Sequence, residues 1–444
     1  MSDIAFSQQS VYLRRGGAGD APQAAAASGR FDSHEAALWA SMALLIIAFV
    51  PIALGGEALE VSLNPQRVFE MGVLLLSLVT IIAYAMLRMI SDIYLLTPAS
   101  VIMGLFIYWA LLSSLWSPNP VLTLAKAGEL AIVALVAVMV VSVAARRPSS
   151  LERLANILAW VFILVVGALL VSNLVLYGTL IPMRSALVDG VIPVGEIGAE
   201  TVRPRFVLGY LNPLATADWL AMAVIILIAS RLNLWLKLFL TPGYWALLWL
   251  TDGRGPMAGA LVAVPAILLL RVRRHDLRVL LAGGAISIFL LAYALYSKSD
   301  LVKLVDQLWT PDMSTLNGRT GVWEVAISAI PQRLFTGYGY FASRYVLLQV
   351  FSWAGHTHNS FIEIALSTGL VGLFLLTAFV VYMLYAVIVT RDRLLLGMGI
   401  YCCIQGMLNP LLFSPGIPMF ILLLCMIRAG RRTRRQALAH SCGS

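Results

Sequence analysis

Apolar residues recur in long runs along most of the chain, separated by polar segments. A run of about 20 apolar residues forms a helix long enough to cross the hydrocarbon core of a bilayer. Window hydropathy predicts about twelve such helices. They are expected at residues 36–54, 68–87, 95–115, 124–144, 154–177, 214–228, 234–250, 256–270, 277–296, 368–389, 394–407 and 418–427. In the seventh, Thr241-Pro242-Gly243 predicts a kink or a break.

Two polar segments are much longer than ordinary connections between helices. Together with the apolar runs they divide the chain into tails, helical blocks and long loops. The expected parts are a disordered tail at 1–35, membrane helices at 36–177, 213–296 and 368–428, long loops at 178–212 and 297–367, and a basic tail at 429–444. The expected fold class is therefore an all-α polytopic membrane protein.

The composition excludes several other classes of protein. Of the 444 residues, 60% are hydrophobic and 12% charged, and the mean hydropathy is +0.88. A soluble domain is usually about half apolar and a quarter charged, so a soluble enzyme, a disordered chain and a disulfide scaffold are all excluded. Three of the four cysteines lie inside apolar runs, which favours a role as small apolar fillers.

A net charge of +9 could indicate nucleic-acid binding, but the basic residues lie in short clusters between apolar runs. The clusters follow the fourth, eighth, tenth and last predicted helices. An even number of helices places all of them on one side with both termini, and the positive-inside rule makes that side cytoplasmic. No nucleic-acid partner is expected, and both long loops should face the other side of the membrane.

Some arginines break this trend because they lie on the side of the long loops. They are Arg184, Arg203, Arg205, Arg254 and Arg319. Loop solubility or contact with lipid headgroups would explain any one of them. Arg254 lies in a tight turn between two apolar runs. The simplest non-functional explanation of this arginine is a local ion pair with Asp252.

Motifs of soluble enzymes are absent from the sequence. There is no phosphate-binding G-x-x-x-x-G-K-[ST] loop and no H-E-x-x-H zinc motif. Gly337-Tyr338-Gly339 lacks the third glycine of a dinucleotide fingerprint and is interpreted as a flexible turn. The predicted helices carry few acidic residues, which weakens the case for a proton-coupled transporter.

Two histidines, His356 and His358, directly precede the tenth predicted helix. A His-x-His pair can bind a metal, although side chains at i and i+2 point apart on a helix. The second interpretation is a general base, because histidine has a pKa suited to proton removal near neutral pH. A purely structural histidine is the third.

The wider pattern around His358 favours the general base. From His358-Asn359 the chain continues for nine residues to Gly369 and for two more to Gly372. This resembles the signature of the bacterial O-antigen ligase superfamily, which also includes O-antigen polymerases and O-linked oligosaccharyltransferases. Asn317-Gly318-Arg319 and Asp252-Gly253-Arg254-Gly255 are similar to other family segments, as is Arg205 with the residues after it. The resemblance covers about residues 203–416.

The resemblance implies a multi-span, GT-C-type glycosyltransferase of the bacterial inner membrane with its active site facing the periplasm. Its donor would be O-antigen polysaccharide on undecaprenyl diphosphate, its acceptor a sugar of lipid A-core, and its transfer a single inverting displacement. The diphosphate leaving group needs charge stabilisation more than it needs a proton, and arginine forms a permanent bidentate clamp on phosphate. No metal and no cofactor are therefore expected, and membrane lipids form the surroundings.

The residue assignments follow from the resemblance. His358 is the expected catalytic base, and Arg319 and Arg254 are expected to contact the diphosphate. The further candidates for substrate binding are Arg205, Arg203, Asn359, Glu363 and His356. Asn359 could orient the imidazole, Glu363 is the reserve candidate for the base, and His356 should point away if the segment is helical.

Three other functions remain open from the sequence. An O-antigen polymerase and a protein O-oligosaccharyltransferase belong to the same superfamily. A membrane transporter of a small anion or lipid is the alternative from another class, with the arginines of the long loops as its substrate funnel.

Overall fold

The protein is described here from a computed structural model that covers residues 33–50, 65–90, 96–184, 205–270, 319–351 and 354–441. Within these ranges it is almost entirely helical. The predicted ninth helix at 277–296 and nearly all of the tail at 1–35 lie outside the described residues.

Thirteen α-helices are described in these ranges. The first eight are α1 Ser33–Ala48, α2 Pro65–Leu87, α3 Pro98–Leu112, α4 Pro120–Ala144, α5 Pro148–Tyr177, α6 Pro213–Ala229, α7 Leu234–Leu250 and α8 Arg254–Leu269. The others are α9 Arg319–Ala329, α10 Arg344–Leu347, α11 Ser360–Thr390, α12 Arg393–Gly406 and α13 Ile417–Ser441. Short 3₁₀ turns follow α3 at Ser113–Leu115 and α9 at Ile330–Arg333.

Local sequence explains where several helices begin. Thr97-Pro98, Asn119-Pro120 and Asn212-Pro213 stand at the starts of α3, α4 and α6. In each pair the first side chain accepts a hydrogen bond from a backbone N–H of the first turn. The proline at the first helical position has its φ already set and no N–H to leave unpaired.

Five described helices are long and apolar enough to cross a membrane, judged by length and composition. They are α4, α11, Val68–Leu87 of α2, Pro98–Leu115 and Glu152–Tyr177 of α5. Another five apolar helices are shorter: α1, α6, α7, α8 and α12. These helices make the chain a polytopic helical membrane protein; the total of about twelve spans stays a prediction.

Burial places the helices within the bundle. In its most apolar stretch 83% of the residues of α4 are buried, against 22% in α2. α4 therefore lies inside the bundle, and α2 lies at the edge, where its apolar side chains match a lipid environment. α13 packs against α4, and α12 packs closely along α8.

The seventh predicted helix is not interrupted. α7 continues through Pro242 from Leu234 to Leu250, so the predicted break is wrong. A proline removes one backbone hydrogen bond, whereas a full break between apolar runs would leave several polar groups unpaired in a lipid environment, at a larger cost.

Two other boundaries differ from the predictions. The tenth helix begins at Ser360 rather than Thr368, because the polar first turn is capped by Asn359 and hydropathy does not detect it. The segment expected as a basic tail continues α13 as far as Ser441. Its Arg, Ala, Gln and Leu residues favour a helix, which explains the extension.

The first long loop is closed at its base by two short strands, β1 Met183–Arg184 and β2 Arg205–Phe206. They pair antiparallel, so the all-α prediction misses this small sheet. The side chain of Asn173 in α5 donates to the carbonyl oxygens of Val207 and Leu180, at 3.0 and 3.2 Å. These bonds fix both ends of the loop to α5 and hold Arg205 in place.

Candidate functional site

The segment that carries the two histidines is a loop, not a helix. His358 has a left-handed φ of +53°. Its backbone N–H donates to Nδ1 of His356 at 3.3 Å, and the two ring centroids lie 4.1 Å apart. The two side chains would point apart if this segment were a helix. In the loop they lie together and form one pair.

Glu363 holds this loop in place from the first turn of α11. Its Oε2 accepts a hydrogen bond at 2.9 Å from the backbone N–H of Thr357, the residue between the histidines. Its Oε1 accepts from the hydroxyl groups of Ser343 and of Ser367. A carboxylate engaged by three donors is better placed to position the loop than to act as the reserve base.

Asn359 serves the helix rather than the imidazole. Its Oδ1 accepts from the backbone N–H groups of Phe361 and Ile362, at 2.9 and 3.2 Å. Its Nδ2 donates to the carbonyl oxygen of Met407 at 3.2 Å. The expected orienting bond to the imidazole ring is therefore replaced by capping of α11 and by an anchor to the residue after α12.

Trp323 brings the start of α9, and with it Arg319, to the histidines. Arg319 is the first residue of α9, and Trp323 lies one turn further along. The indole N–H of Trp323 donates to the carbonyl oxygen of Thr357 at 2.8 Å. This bond fixes the start of α9 against the histidine loop and brings the Arg319 charge close enough to act on both imidazoles.

The surroundings keep both imidazoles neutral. Burial, then His356, then Arg319 lower the pKa of His358 to about 3. Burial also lowers the pKa of His356; Glu363 opposes this, whereas Arg344 and Arg319 add to it. Burial lowers the pKa of Arg319 itself. At neutral pH His358 therefore retains a lone pair that can accept a proton, whereas the lone pair of His356 accepts the backbone N–H of His358.

Arg344, the first residue of α10, was not singled out in the sequence. Its charge acts on His356, and it follows Ser343, which donates to Glu363. The signal that could have found it is the one applied to the other arginines, a basic residue on the side of the long loops. The region around the histidines therefore contains two arginines rather than one.

A second basic group forms where the first loop meets the turn before α8. The Arg205 guanidinium lies 3.4 Å from the Asp252 carboxylate, and the Arg254 guanidinium lies 3.7 Å from it. The local pair considered for Arg254 is therefore present, but Asp252 is shared by both arginines. All three side chains are at least one-third exposed, so these pairs are screened and an incoming anion can compete for the guanidiniums.

Residues next to each group contact the end of α12. A Cβ on Gly255, next to Arg254, would lie 2.4 Å from Oε1 of Gln405. Asn359, next to His358, donates to the carbonyl oxygen of Met407. Arg254 and His358 are therefore each one residue from a contact with the same short segment, Gln405–Met407.

Comparison with known protein families gives a match that covers the middle of the chain. Residues 238–377 match the family model described as O-antigen ligase. This match supports membership of the O-antigen ligase superfamily. The matched range contains Arg254, Arg319 and His358, whereas Arg205 precedes it. The members of this family are glycosyltransferase-like enzymes. A search of curated proteins finds no match to the chain.

The structure gives a physical reason for the first glycine of the O-antigen ligase signature. α11 has a kink at Gly369, which has a φ of +69°. Its Cβ would lie 2.3 Å from the backbone of Phe335, so a side chain does not fit. Gly372, one turn later, faces Thr368, whose hydroxyl would lie 1.8 Å from an added Cβ. Both glycines therefore allow close approach at the kink.

The kink docks the second long loop against the helix. Backbone groups that lose their helical partners at Gly369 form hydrogen bonds with the segment 334–339. The N–H of Leu370 donates to the carbonyl oxygen of Leu334 at 2.8 Å. Tyr338 N–H and Gly339 N–H donate to the carbonyls of Leu366 and Ser367. The turn at 337–339 is thus hydrogen-bonded into α11, so its interpretation as a flexible turn is wrong.

One predicted substrate-binding residue, Arg203, lies outside the described residues, and the side chain of Arg184 is not described either. Among the residues that are described, no group of three or more His, Cys, Asp or Glu side chains could hold a metal ion. The expectation that the protein acts without metal stays a prediction.

Proposed function

We propose that this protein is an O-antigen ligase. It transfers O-antigen polysaccharide from undecaprenyl diphosphate to a sugar of lipid A-core on the periplasmic face of the inner membrane. The observation that carries the proposal is the Trp323–Thr357 hydrogen bond, which holds the start of α9 and its Arg319 against the loop of His358 within the region that matches the family. A proton acceptor next to a permanent cation suits attack by a hydroxyl on a carbon that bears a diphosphate.

The reaction is a single displacement. The oxygen of an acceptor hydroxyl forms a bond to the anomeric carbon while the bond from that carbon to the diphosphate oxygen breaks. The hydroxyl proton passes to His358, and the diphosphate leaves with the bonding electron pair. Attack from the face opposite the leaving group inverts the anomeric carbon.

The base becomes stronger when the donor binds. With a pKa of about 3, His358 is neutral but weakly basic in the free protein. Arg319 is one cause of that low pKa. A diphosphate bound beside Arg319 offsets its positive charge and raises the pKa of His358. Proton removal is thus favoured when the leaving group is in place.

Arginines take the place of a metal in this proposal. Arg319 and Arg344 lie by the histidines, and Arg205 and Arg254 share Asp252 at the other group. A guanidinium keeps its charge and offers two parallel N–H groups to phosphate oxygens. Negative charge that develops on the leaving diphosphate is therefore stabilised without a divalent cation.

A genetic test separates the possible functions. Cells that lack the protein should lose the polysaccharide ladder on lipid A-core and accumulate polymer on the lipid carrier. The unmodified gene and an exposed α9 variant, Glu324→Gln, should restore the ladder, and His358→Ala should not. Core that carries one repeat unit would indicate a polymerase, and an unchanged ladder would contradict both assignments.

A further inference from the structure

A cavity of about 480 Å³ lies at the end of α9 away from the histidines. It is formed by the end of α9, the 3₁₀ turn after it, residues 345–350 and the loop after α3. The residues that give it its character are Trp116, Tyr338, Tyr345, Gln332, Gln349 and Ser328. α9 has 11 residues, so the cavity lies about 15 Å from Arg319 along the helix.

The rings that line the cavity are held in fixed positions. The indole N–H of Trp116 donates to the carbonyl oxygen of Thr336 at 3.2 Å. Tyr338 donates its hydroxyl to Oε1 of Gln332 at 3.0 Å, and the hydroxyl of Tyr345 accepts from the Asn119 amide. A site whose side chains are already ordered loses little conformational entropy when a ligand binds.

The lining lacks a carboxylate, and its one cation is already engaged. Arg333 donates to the carbonyl oxygen of Trp116 at 3.1 Å, and its guanidinium lies 5.0 Å from the centre of the Tyr338 ring. Its guanidinium keeps a single positive charge, but one N–H group and one face are already engaged, so the cavity presents mainly aromatic and uncharged polar groups.

The remaining chemistry is that of carbohydrate recognition. Aromatic faces pack against the C–H groups of a pyranose ring, and amides both donate to and accept from its hydroxyl groups. Gln332, Gln349 and Ser328 are exposed at the cavity, where they can reach such hydroxyl groups.

We propose that this cavity binds a neutral sugar unit of a saccharide substrate, remote from the bond that forms at His358. The proposal rests on the proposed function for the identity of the saccharide. The sugar comes either from the O-antigen chain of the donor or from the core of the acceptor. The same aromatic and amide chemistry would recognise both.

Binding is measured without turnover, by saturation-transfer NMR on the purified full-length protein. The two probes are a lipid-free O-antigen repeat oligosaccharide and a delipidated core oligosaccharide. Ser328→Trp puts a large side chain into the cavity. Ile327→Trp is the matched control, since Ile327 is 56% exposed on the same helix and does not line the cavity. Gln349→Ala removes an exposed amide and serves if the tryptophan variant fails to fold.

The unmodified protein and Ile327→Trp should bind one of the two oligosaccharides, and the one that binds identifies the source of the sugar. Ser328→Trp should weaken that binding by about tenfold or more, and Gln349→Ala by about two- to tenfold. Failure of both oligosaccharides to bind, or equal binding by all variants, would overturn the proposal. Saccharide binding without any transfer would leave the cavity assigned and refute the ligase function alone.

Discussion

The imidazole rings of His356 and His358 lie 4.1 Å apart, and the backbone N–H of His358 donates to Nδ1 of His356. The two residues are therefore coupled, although only His358 holds the position that the signature marks for the base. His356 and Arg319 both lower the pKa of His358, after burial. We therefore expect this coupling to affect the pH dependence of transfer.

The acid limbs of the two kinetic parameters should differ. A base accepts a proton only when neutral, so its contribution is lost as the pH falls through its pKa. With His358 at about 3 in the free protein, kcat/KM for the donor should show no loss from this group between about pH 8 and 5. Bound diphosphate offsets Arg319 and raises the pKa, so the acid limb of kcat should lie at higher pH.

The measurement is steady-state transfer across this range, with His356→Ala beside the unmodified protein. Loss of His356 removes one cause of the low pKa of His358 and should move the acid limb of kcat/KM upward. The substitution also removes the acceptor for the His358 N–H. We therefore expect a larger loss of rate than if the two rings pointed apart. If kcat/KM of the unmodified protein decreases as the pH drops below about 6.5, the base is instead a histidine with an ordinary pKa.

Lysine should not replace arginine at Arg319 or Arg254. Lysine keeps the charge but loses the two parallel N–H groups that match phosphate oxygens. Arg319→Lys should lower kcat by about tenfold or more, because it acts beside the base. Arg254→Lys should mainly raise the KM for the donor, because its guanidinium is exposed beside Asp252.

Steady-state kinetics with varied donor gives both parameters for these variants. Arg231→Lys is a matched control, since its exposed guanidinium pairs with Glu152 away from both basic groups. Full activity of both the Arg319 and Arg254 variants would contradict a bidentate contact and leave simple surface charge as the explanation.

Gly337→Ala should undock the second long loop from α11. Gly337 has a φ of +64°, and an added Cβ would lie 2.4 Å from the backbone of Ser367. We expect destabilisation of about 1–3 kcal/mol and loss of transfer, since this turn anchors the loop that carries Arg344. Thermal unfolding and limited proteolysis in detergent report both changes.

Gly178→Ala is the control for Gly337→Ala, because it introduces the backbone strain of a positive φ without the steric clash. Gly178 has a φ of +69°, but no atom lies within 4 Å of an added Cβ. It should lower stability by about 1 kcal/mol and leave transfer intact. Equal behaviour of the two variants would show that the docked turn has no special role.

Transfer should continue in the presence of a chelator. The proposal assigns stabilisation of the diphosphate to arginines, which need no divalent cation. Purified protein with lipid-linked donor and lipid A-core should keep its rate in excess EDTA. Loss of activity that a single added metal restores would refute the arginine clamp.

Hydropathy predicted most of the described helices because membrane spans are set by length and apolar content. It does not register single polar groups. Asp218 is buried in α6, where it accepts from the Tyr401 hydroxyl at 2.6 Å and from the Gln405 amide at 3.0 Å. A window average hides such a residue, because only contacts between distant helices show that its carboxylate is satisfied.

The site was partly predictable for the same reason. The signature marks His358, and the spacing of Asp252 and Arg254 predicts their local pair. The loop conformation that pairs the histidines is set by Glu363 and Trp323 through tertiary contacts, which no local pattern contains. The helix-capping role of Asn359 could have been found, since asparagine before an apolar run is a common helix start.

The most direct test of the account is single-turnover transfer by the purified protein in lipid vesicles. Undecaprenyl-diphosphate-linked O-antigen serves as the donor and lipid A-core as the acceptor. The unmodified protein and Glu324→Gln should attach the polysaccharide to lipid A-core, and His358→Ala should be slower by about a hundred- to ten-thousand-fold while still binding donor. Near-normal transfer by His358→Ala, or polymer that grows on the lipid carrier with none on lipid A-core, would contradict it.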